Sequence, residues 1–418
     1  MSIKLRLTFL SFLQLFVWGA WLITIGVYWF QNRHWGGEEF GAVFSTLGIA
    51  SIFMPPLTGI IADRWMNAEK LYGLLHIGYG IALCFLPFVN DPGTFFWVML
   101  IAMCFYMPTI SLSNSISYTI LKNNNYDVVT VFPPIRVWGT IGFIVAMWVT
   151  NLTGNKGNTN QFFIAAVFAI LLGIYSFTLP KCPPQNLTPK GAPLSEVLGL
   201  KAFRLFGTTK MALFFIFSML LGAALQLTNM YGDTFLSDFE KIAEYKDSFV
   251  VKYSTIIMSI SQISETLFIL AIPFFLKRFG IKKVMLISML AWILRFALFG
   301  YGDPAGNLWM IILSCIVYGM AFDFFNISGS LFVETTTDHT IRSSAQGLFM
   351  MMTNGFGAIL GSLVSGYLIQ QFFLDENGNK MWKDIWLAFA GYALVIAVLF
   401  GIFFRHKHDP KVVEKFSH

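Results

Sequence analysis

The sequence predicts an all-α membrane protein with twelve transmembrane helices in two pseudo-symmetric six-helix bundles. Its 418 residues are 56% hydrophobic and 12% charged, about half the charged fraction of an average soluble protein. Apolar stretches of about 20 residues, the length that crosses a bilayer, recur from end to end. The two halves also repeat some polar positions: Asn114 and Ser117 in the first half correspond to Asn326 and Ser328 in the second.

The apolar stretches predict the helices in chain order. The first is long enough to span a bilayer, so it is interpreted as a helix rather than a cleaved signal peptide. The predicted helices are 5–30, 40–62, 71–89, 95–121, 131–152, 161–179, 211–235, 249–276, 284–301, 307–333, 343–372 and 385–404.

Three domain ranges follow from these helices. Residues 1–180 form an N-terminal six-helix bundle, and residues 211–418 form a C-terminal six-helix bundle with a short tail. The cytoplasmic linker 181–210 contains four prolines and then SEVLGLKAFRLF, which has apolar residues at helical spacing. This segment is interpreted as a linker with one short helix, and an amphipathic helix on the membrane surface is the alternative.

The basic residues predict the orientation. Most of the 28 Lys and Arg residues lie at the termini or in the connections that follow even-numbered predicted helices. Cytoplasmic connections carry an excess of Lys and Arg, so both termini are expected to be cytoplasmic. The same bias accounts for the net charge of +6 without a nucleic-acid partner.

Cofactor chemistry has no support in the sequence. Four scattered cysteines and six scattered histidines give neither a disulfide framework nor metal-ligand spacing. There is no phosphate-binding loop for ATP and no constellation of nucleophile and base. No cofactor, metal or enzymatic activity is expected. A membrane receptor is disfavoured because the loops and tails are too short for an output domain.

Four charged residues fall well inside predicted helices: the acids Glu265 and Asp323 and the bases Arg136 and Arg295. A charge at the bilayer centre costs about 3 kcal/mol on insertion scales, so such residues usually serve a function. These four could form ion pairs, either within a cavity or as static links between helices. Asp323 is interpreted as the obligatory proton carrier, and Glu265 mainly as a ligand to substrate.

Polar and aromatic side chains recur at helical spacing around these charges. Stripes of this kind face a wet cavity or a partner helix rather than lipid. Interhelical hydrogen bonding remains the alternative for the amide residues. The candidate substrate-binding residues are Arg136, Thr140, Phe143, Gln226, Asn229, Gln262, Glu265, Tyr318, Phe322 and Asp323.

The chemistry of these residues suits two substrate classes. Amides can pair with the edge of a nucleobase, and aromatic rings stack on bases with about 1–3 kcal/mol each. Carboxylates and arginine also bind the hydroxyl groups of ribose or of a free sugar. The residues alone therefore leave a nucleoside and a sugar open, and no cofactor is required for either.

Several stretches carry a family resemblance. Gly59, Asp63 and Arg64 fit the loop signature of the major facilitator superfamily, although Met66 stands where a glycine is expected. Asp63 and Arg64 are interpreted equally as a cytoplasmic gate and as topology determinants. More specific are FPPIRVWGTIGFIVAMW (132–148), FFIFSMLLGAALQLTNMYG (214–232), IIMSISQISETLFILAIPFFL (256–276) and VYGMAFDFFNISGSLFVE (317–334), which resemble the nucleoside:proton symporter family of that superfamily.

The resemblance implies the major facilitator fold and proton-coupled nucleoside uptake by alternating access. It implies that the ten candidate residues line one cavity between the halves. It further implies a multi-pass monomer in the bacterial inner (cytoplasmic) membrane, with a nucleoside and a proton as its substrates. A sugar:proton symporter of the same superfamily is the alternative.

Overall fold

Helices account for nearly all of the computed structural model, which describes residues 2–184, 200–338 and 341–407. Within these ranges, nine helices are long and apolar enough to cross a membrane. The chain divides into two units, Met1–Leu198 and Gly199–His418. The first five residues of the SEVLGLKAFRLF segment, 195–199, lie outside the described residues, and the other seven lie in a 3₁₀ helix, Leu200–Gly207.

Within its described residues, the N-terminal unit contains six long helices. Ser2 caps the first, where its hydroxyl accepts a hydrogen bond from the Leu5 amide at 3.3 Å, and Asp91 caps the fourth. The helices are α1 (Ile3–Gly19), α2 (Gly37–Arg64), α3 (Ala68–Phe85), α4 (Pro92–Asn123), α5 (Val128–Leu152) and α6 (Asn160–Ser176).

The first helix ends earlier than the prediction of 5–30. After α1 come a turn, a short helix at Ile25–Val27 and a π-helical turn at Tyr28–Asn32. The Ala20 carbonyl accepts a hydrogen bond at 3.0 Å from the Thr150 hydroxyl of α5. A distant side chain thus binds a carbonyl at the end of α1, and an apolar pattern does not reveal such a partner.

Close backbone approach brings the helices of this unit together. A Cβ atom on Gly142 of α5 would lie 2.0 Å from the carbonyl oxygen of Phe12 in α1. Likewise, a Cβ atom on Gly73 of α3 would lie 2.4 Å from Oγ of Ser176 in α6. Small residues allow this packing, which is typical of helices in membranes.

Glu69 ties the start of α3 to the chain that leaves α6. Its side chain is 2% exposed. One carboxylate oxygen accepts from the Cys182 amide at 2.8 Å, and the other accepts from the Asn67 amide group at 3.0 Å. Burial and the Glu69 charge raise the pKa of the Cys182 thiol to about 12, so the thiol remains protonated at neutral pH.

The C-terminal unit also contains long helices. The stretch Ser254–Tyr301 is interrupted at Gly280, where φ is 77° and ψ is 168°, a backbone conformation that glycine adopts readily. This turn separates α8 (254–279) from α9 (281–301). The others are α7 (Thr209–Asp238), α10 (Leu308–Thr336), α11 (Arg342–Met350, continued by a π-helical segment Met351–Gly357 and by Ala358–Phe372) and α12 (Trp382–Phe403).

The backbones of α7 and α11 are in direct contact. A Cβ atom on Gly222 of α7 would lie 2.0 Å from the carbonyl oxygen of Thr353. One on Gly361 of α11 would lie 2.6 Å from the carbonyl oxygen of Ala223. The first of these contacts falls on the π-helical segment, so it fixes the position of that segment against α7.

A polar cluster connects the end of α7 with the start of α12. Asp238 accepts a hydrogen bond from Nε1 of Trp382 at 3.0 Å and forms an ion pair with Lys241 at 3.3 Å. Lys380, in the preceding loop, is half-buried. Burial lowers the pKa of Lys380 from 10.5 to about 8, and the Asp238 charge offsets part of this shift.

Candidate functional site

The middle of α10 presents an aromatic pair next to a buried acid. Tyr318 is 4% exposed and Asp323 is 5% exposed, whereas Phe322 is half-buried. Residues i and i+4 lie on one face of a helix. The rings of Tyr318 and Phe322 are accordingly stacked, with centroids 6.2 Å apart and planes 10° from parallel.

Phe322 also forms one wall of a cavity within the C-terminal unit. Its empty space is about 330 Å³, counted together with the solvent at its open mouth. Its walls come from α7, α9, α10 and the π-helical segment of α11. The lining residues are Leu221, Gly222, Leu225, Trp292, Ala321, Phe322, Phe325, Asn326, Thr353 and Asn354.

The π-helical segment determines which side chains reach this cavity. In an i→i+5 turn the helix accommodates an extra residue, and such segments occur frequently at functional sites. Here Thr353 and Asn354 line the cavity, and the Thr353 hydroxyl donates to the Phe349 carbonyl at 3.0 Å. Asn354 is not among the site residues that the sequence pattern indicated. A polar residue within MMTNGFG, in an otherwise apolar helix, was the available signal.

Arg295 lies fully buried against the ring of Tyr318. Its guanidinium donates to the Thr228 hydroxyl at 3.2 Å, the Ser261 hydroxyl at 3.3 Å and the Ser314 carbonyl at 2.8 Å. It also lies 4.5 Å from the centroid of the Tyr318 ring, in a cation–π contact. These partners differ from the ion pair considered for Arg295, because its hydrogen bonds go to neutral groups on α7, α8 and α10.

The candidate amides of α7 and α8 differ in burial. Gln226 is 6% exposed, whereas Asn229 and Gln262 are half-buried. Among the described residues, the side-chain oxygens of Gln226 and Gln262 have no hydrogen-bond partner. The interhelical bonds considered as the alternative are therefore not made by these two oxygens. Glu265 is half-buried, one turn after Gln262 on α8.

The remaining candidates lie in the N-terminal unit, on α5. Arg136 is exposed, Thr140 is half-buried and Phe143 is 8% exposed. The Phe143 ring meets the Trp18 ring edge-on, with centroids 6.3 Å apart. The three residues are spaced at i, i+4 and i+7 on one helix, so they share a face.

Asp63 and Arg64 are the candidate gating residues and are separate from the candidate substrate-binding residues. They form the last turn of α2, and both are half-buried.

The described residues contain no cluster of potential metal ligands. There, no group of three His, Cys, Asp or Glu residues could hold a metal ion. His76 on α3, which no sequence pattern singled out, is fully buried, and its ring stacks on that of Tyr72 with centroids 4.3 Å apart.

Long apolar helices with acidic, basic and amide groups buried near their middle define a polytopic membrane protein of the secondary-transporter class. The prediction of an all-α membrane protein is confirmed at this level. Comparison with known proteins identifies the particular family. The chain belongs to the Nucleoside H+ symporter family, whose model matches residues 1–409. The family predicted from the sequence is thereby confirmed.

Three similar proteins span nearly the whole chain. A xanthosine permease of Escherichia coli is 52% identical over 99% of both chains. The nucleoside permease NupG of E. coli is 52% identical over 98% of this chain and 97% of its own. A crystal structure of a NupG mutant has a TM-score of 0.94 and covers 97% of this chain and 100% of that one. A D-xylose-proton symporter, 13% identical with a TM-score of 0.70 over 96% of this chain and 98% of its own, shares the fold.

Proposed function

We propose that this protein takes up nucleosides together with protons by alternating access. The observation that carries this proposal is a buried acid, Asp323, beside an aromatic and amide-lined cavity in a chain of the Nucleoside H+ symporter family. The similarity to a xanthosine permease and to a nucleoside permease supports a nucleoside as the substrate. The protein acts as a carrier and performs no covalent chemistry.

Ten side chains bind the substrate in this proposal. The aromatic rings stack on the base, the amides pair with polar atoms of the nucleoside, and the charged groups bind ribose hydroxyls. The stacked rings of α10 and the uncommitted amide oxygens of α7 and α8 support these roles. The residues are Arg136, Thr140, Phe143, Gln226, Asn229, Gln262, Glu265, Tyr318, Phe322 and Asp323.

Asp323 carries the proton, and Glu265 contributes mainly as a ligand. A charged carboxylate in an apolar helix is unfavourable, and protonation removes that charge. A proton taken from the outside and released to the inside links uptake to the proton gradient. The near-complete burial of Asp323, compared with the half-buried Glu265, supports this assignment.

The chain crosses the membrane twelve times, with both termini in the cytoplasm. Nine candidate spans occur in the described residues, and one of them contains two helices joined at Gly280. The shorter apolar helices Ile3–Gly19 and Asn160–Ser176 supply the other two. The protein resides as a monomer in the bacterial inner membrane, and Asp63 and Arg64 act as a cytoplasmic gate or as topology determinants.

Uptake into proteoliposomes tests the function. With an inwardly directed proton gradient, the wild-type protein should concentrate labelled uridine or adenosine, and a protonophore should abolish accumulation. Unlabelled nucleosides should compete, whereas disaccharides should not. Competition by a disaccharide in the absence of competition by nucleosides would contradict the assignment and favour a sugar:proton symporter.

Asp323→Asn tests the proton carrier. The variant should lose accumulation driven by the proton gradient. It should still transport nucleoside down the nucleoside concentration gradient. Asp384→Asn, at an exposed position in the first turn of α12, is the matched control and should accumulate normally. If Asp323→Asn concentrates nucleosides as the wild type does, Asp323 is not the obligatory carrier.

A further inference from the structure

Two asparagines, Asn326 of α10 and Asn354 of the π-helical segment, line the same cavity from two helices. Both are half-buried. The Nδ2 atom of Asn354 reaches the Met350 sulfur at 4.0 Å, and thioether sulfur is a weak acceptor. With the described residues, the Asn326 side chain forms no hydrogen bond. Both amides therefore keep their donors and acceptors available to a ligand.

A third amide between the same two helices is different. Gln346 of α11 donates to the Ser330 carbonyl at 2.8 Å and accepts from the Ser330 hydroxyl at 3.1 Å. This amide connects α10 and α11 through bonds to both of its polar atoms. Asn326 and Asn354 lie farther along the same pair of helices and take no part in such a link.

The residues that line the cavity indicate which kind of ligand it can bind. None of its ten lining residues carries a charge, and three of them are the aromatic residues Trp292, Phe322 and Phe325. A phosphate or a carboxylate would require a positive charge, and none of the lining residues supplies one. A flat, neutral heterocycle with adjacent donors and acceptors fits aromatic walls and paired amides.

We propose that the cavity is a base-recognition subsite in which Asn326 and Asn354 bind the polar edge of the nucleobase. The asparagines thereby act as specificity-determining residues, while the charged candidates serve the ribose and the proton. An amide presents one donor group and one acceptor, so it can pair with the edge of either a pyrimidine or a purine. This inference rests on the proposed function, because it assumes that the substrate is a nucleoside.

The π-helical segment gives the subsite its geometry. Thr353 is held by its own hydroxyl bond within α11 and by the backbone contact with Gly222 of α7. Asn354 follows it directly, so its position relative to α7 is restricted. A side chain that discriminates among bases needs such a rigid support.

The test compares uridine with 3-methyluridine, which lacks the N3–H donor and carries a methyl group in its place. Competition against labelled uridine on the purified, intact protein measures the affinity ratio of the two ligands. The wild-type protein should prefer uridine by about tenfold, the value of one good hydrogen bond. Asn326→Ala and Asn354→Ala each remove an amide and open space for the methyl group. In at least one of them the ratio should fall at least threefold.

Two controls separate recognition from folding. Gln346→Ala removes the structural amide and should keep the wild-type ratio even if it lowers the melting temperature. Asn307→Ala, just before α10 and outside the cavity, should change neither the affinity ratio nor the melting temperature. Each alanine variant is tested independently, so a folding failure in one leaves the other as the test.

The outcomes are distinct. If both asparagine variants keep the wild-type ratio, the subsite assignment is overturned and the proposed function is unaffected. If the wild-type protein binds no nucleoside, the proposed function fails, and the subsite fails with it. A fall in the ratio in either asparagine variant, with both controls unchanged, supports the subsite.

Discussion

Gly222→Ala is the sharpest test of how α7 and α11 pack. The added Cβ atom would lie 2.0 Å from the carbonyl oxygen of Thr353 and 2.7 Å from its carbonyl carbon. Both obstacles are backbone atoms, so a side-chain rotation cannot relieve the overlap. The helices must move apart instead.

The magnitude follows from the overlap. An ordinary contact at this position begins at 3.4 Å, so the oxygen atom is about 1.4 Å too close. Overpacking of this kind typically costs about 1–3 kcal/mol, and separation of the helices also removes favourable contacts along α7. Gly222 and Thr353 both line the cavity, so the same movement should weaken nucleoside binding.

The assay is thermal unfolding of the purified protein in detergent, combined with competition binding of uridine. Gly222→Ala should melt several degrees below the wild type and bind uridine more weakly. Gly391→Ala is the matched control, since nothing lies within 4 Å of its added Cβ atom on α12. It should be neutral or slightly stabilising, because alanine favours a helix by about 1 kcal/mol over glycine.

Equal behaviour of the two variants would contradict the backbone contact. If Gly222→Ala and Gly391→Ala melt at the same temperature and bind uridine equally, α7 and α11 are not in backbone contact.

Three further predictions concern buried polar groups. Glu69→Gln should lower the free energy of unfolding by about 1–3 kcal/mol, because the new amide nitrogen faces one of the two N–H donors, those of Asn67 and Cys182. The control Glu376→Gln, at an exposed position, should not change it. Arg295→Lys should lower the melting temperature and weaken uridine binding, because a lysine cannot keep all three hydrogen bonds or the flat contact with the Tyr318 ring. The control Arg405→Lys, at an exposed position, should leave the melting temperature and uridine binding unchanged. Lys380 has a pKa lowered to about 8, so the unfolded chain binds its proton more tightly, and stability should rise between pH 8 and pH 10. Lys380→Met should abolish that rise, and a wild-type stability that stays flat over this range would contradict the assignment.

The helices were largely predictable because their signal is local. A run of about 20 apolar residues marks a helix that can span a bilayer, and each predicted helix corresponds to a helical region of the structure. The acid Asp323 was also evident, because a charge within such a run is costly and stands out. The stacking of Tyr318 on Phe322 follows from their i, i+4 spacing.

The details of the site depend on partners far apart in the chain. The early end of α1 involves Thr150, about 130 residues away, and Arg295 is surrounded by groups from three other helices. The π-helical segment brings Asn354 into a cavity beside Asn326, and periodicity assigns no such position. No spacing rule in a single sequence reports these pairings.

The helical membrane class, the family resemblance and the acid at the middle of α10 are therefore predictable from the order of residues alone. Hydrophobic runs, helical spacing and isolated charges are properties of neighbouring residues, so they can be read along the chain. The folded structure adds that Arg295 binds neutral groups, that Gly222 contacts the backbone of α11 and that two asparagines line one cavity. Close packing and hydrogen bonding depend on distances between helices, and a linear pattern does not contain those distances.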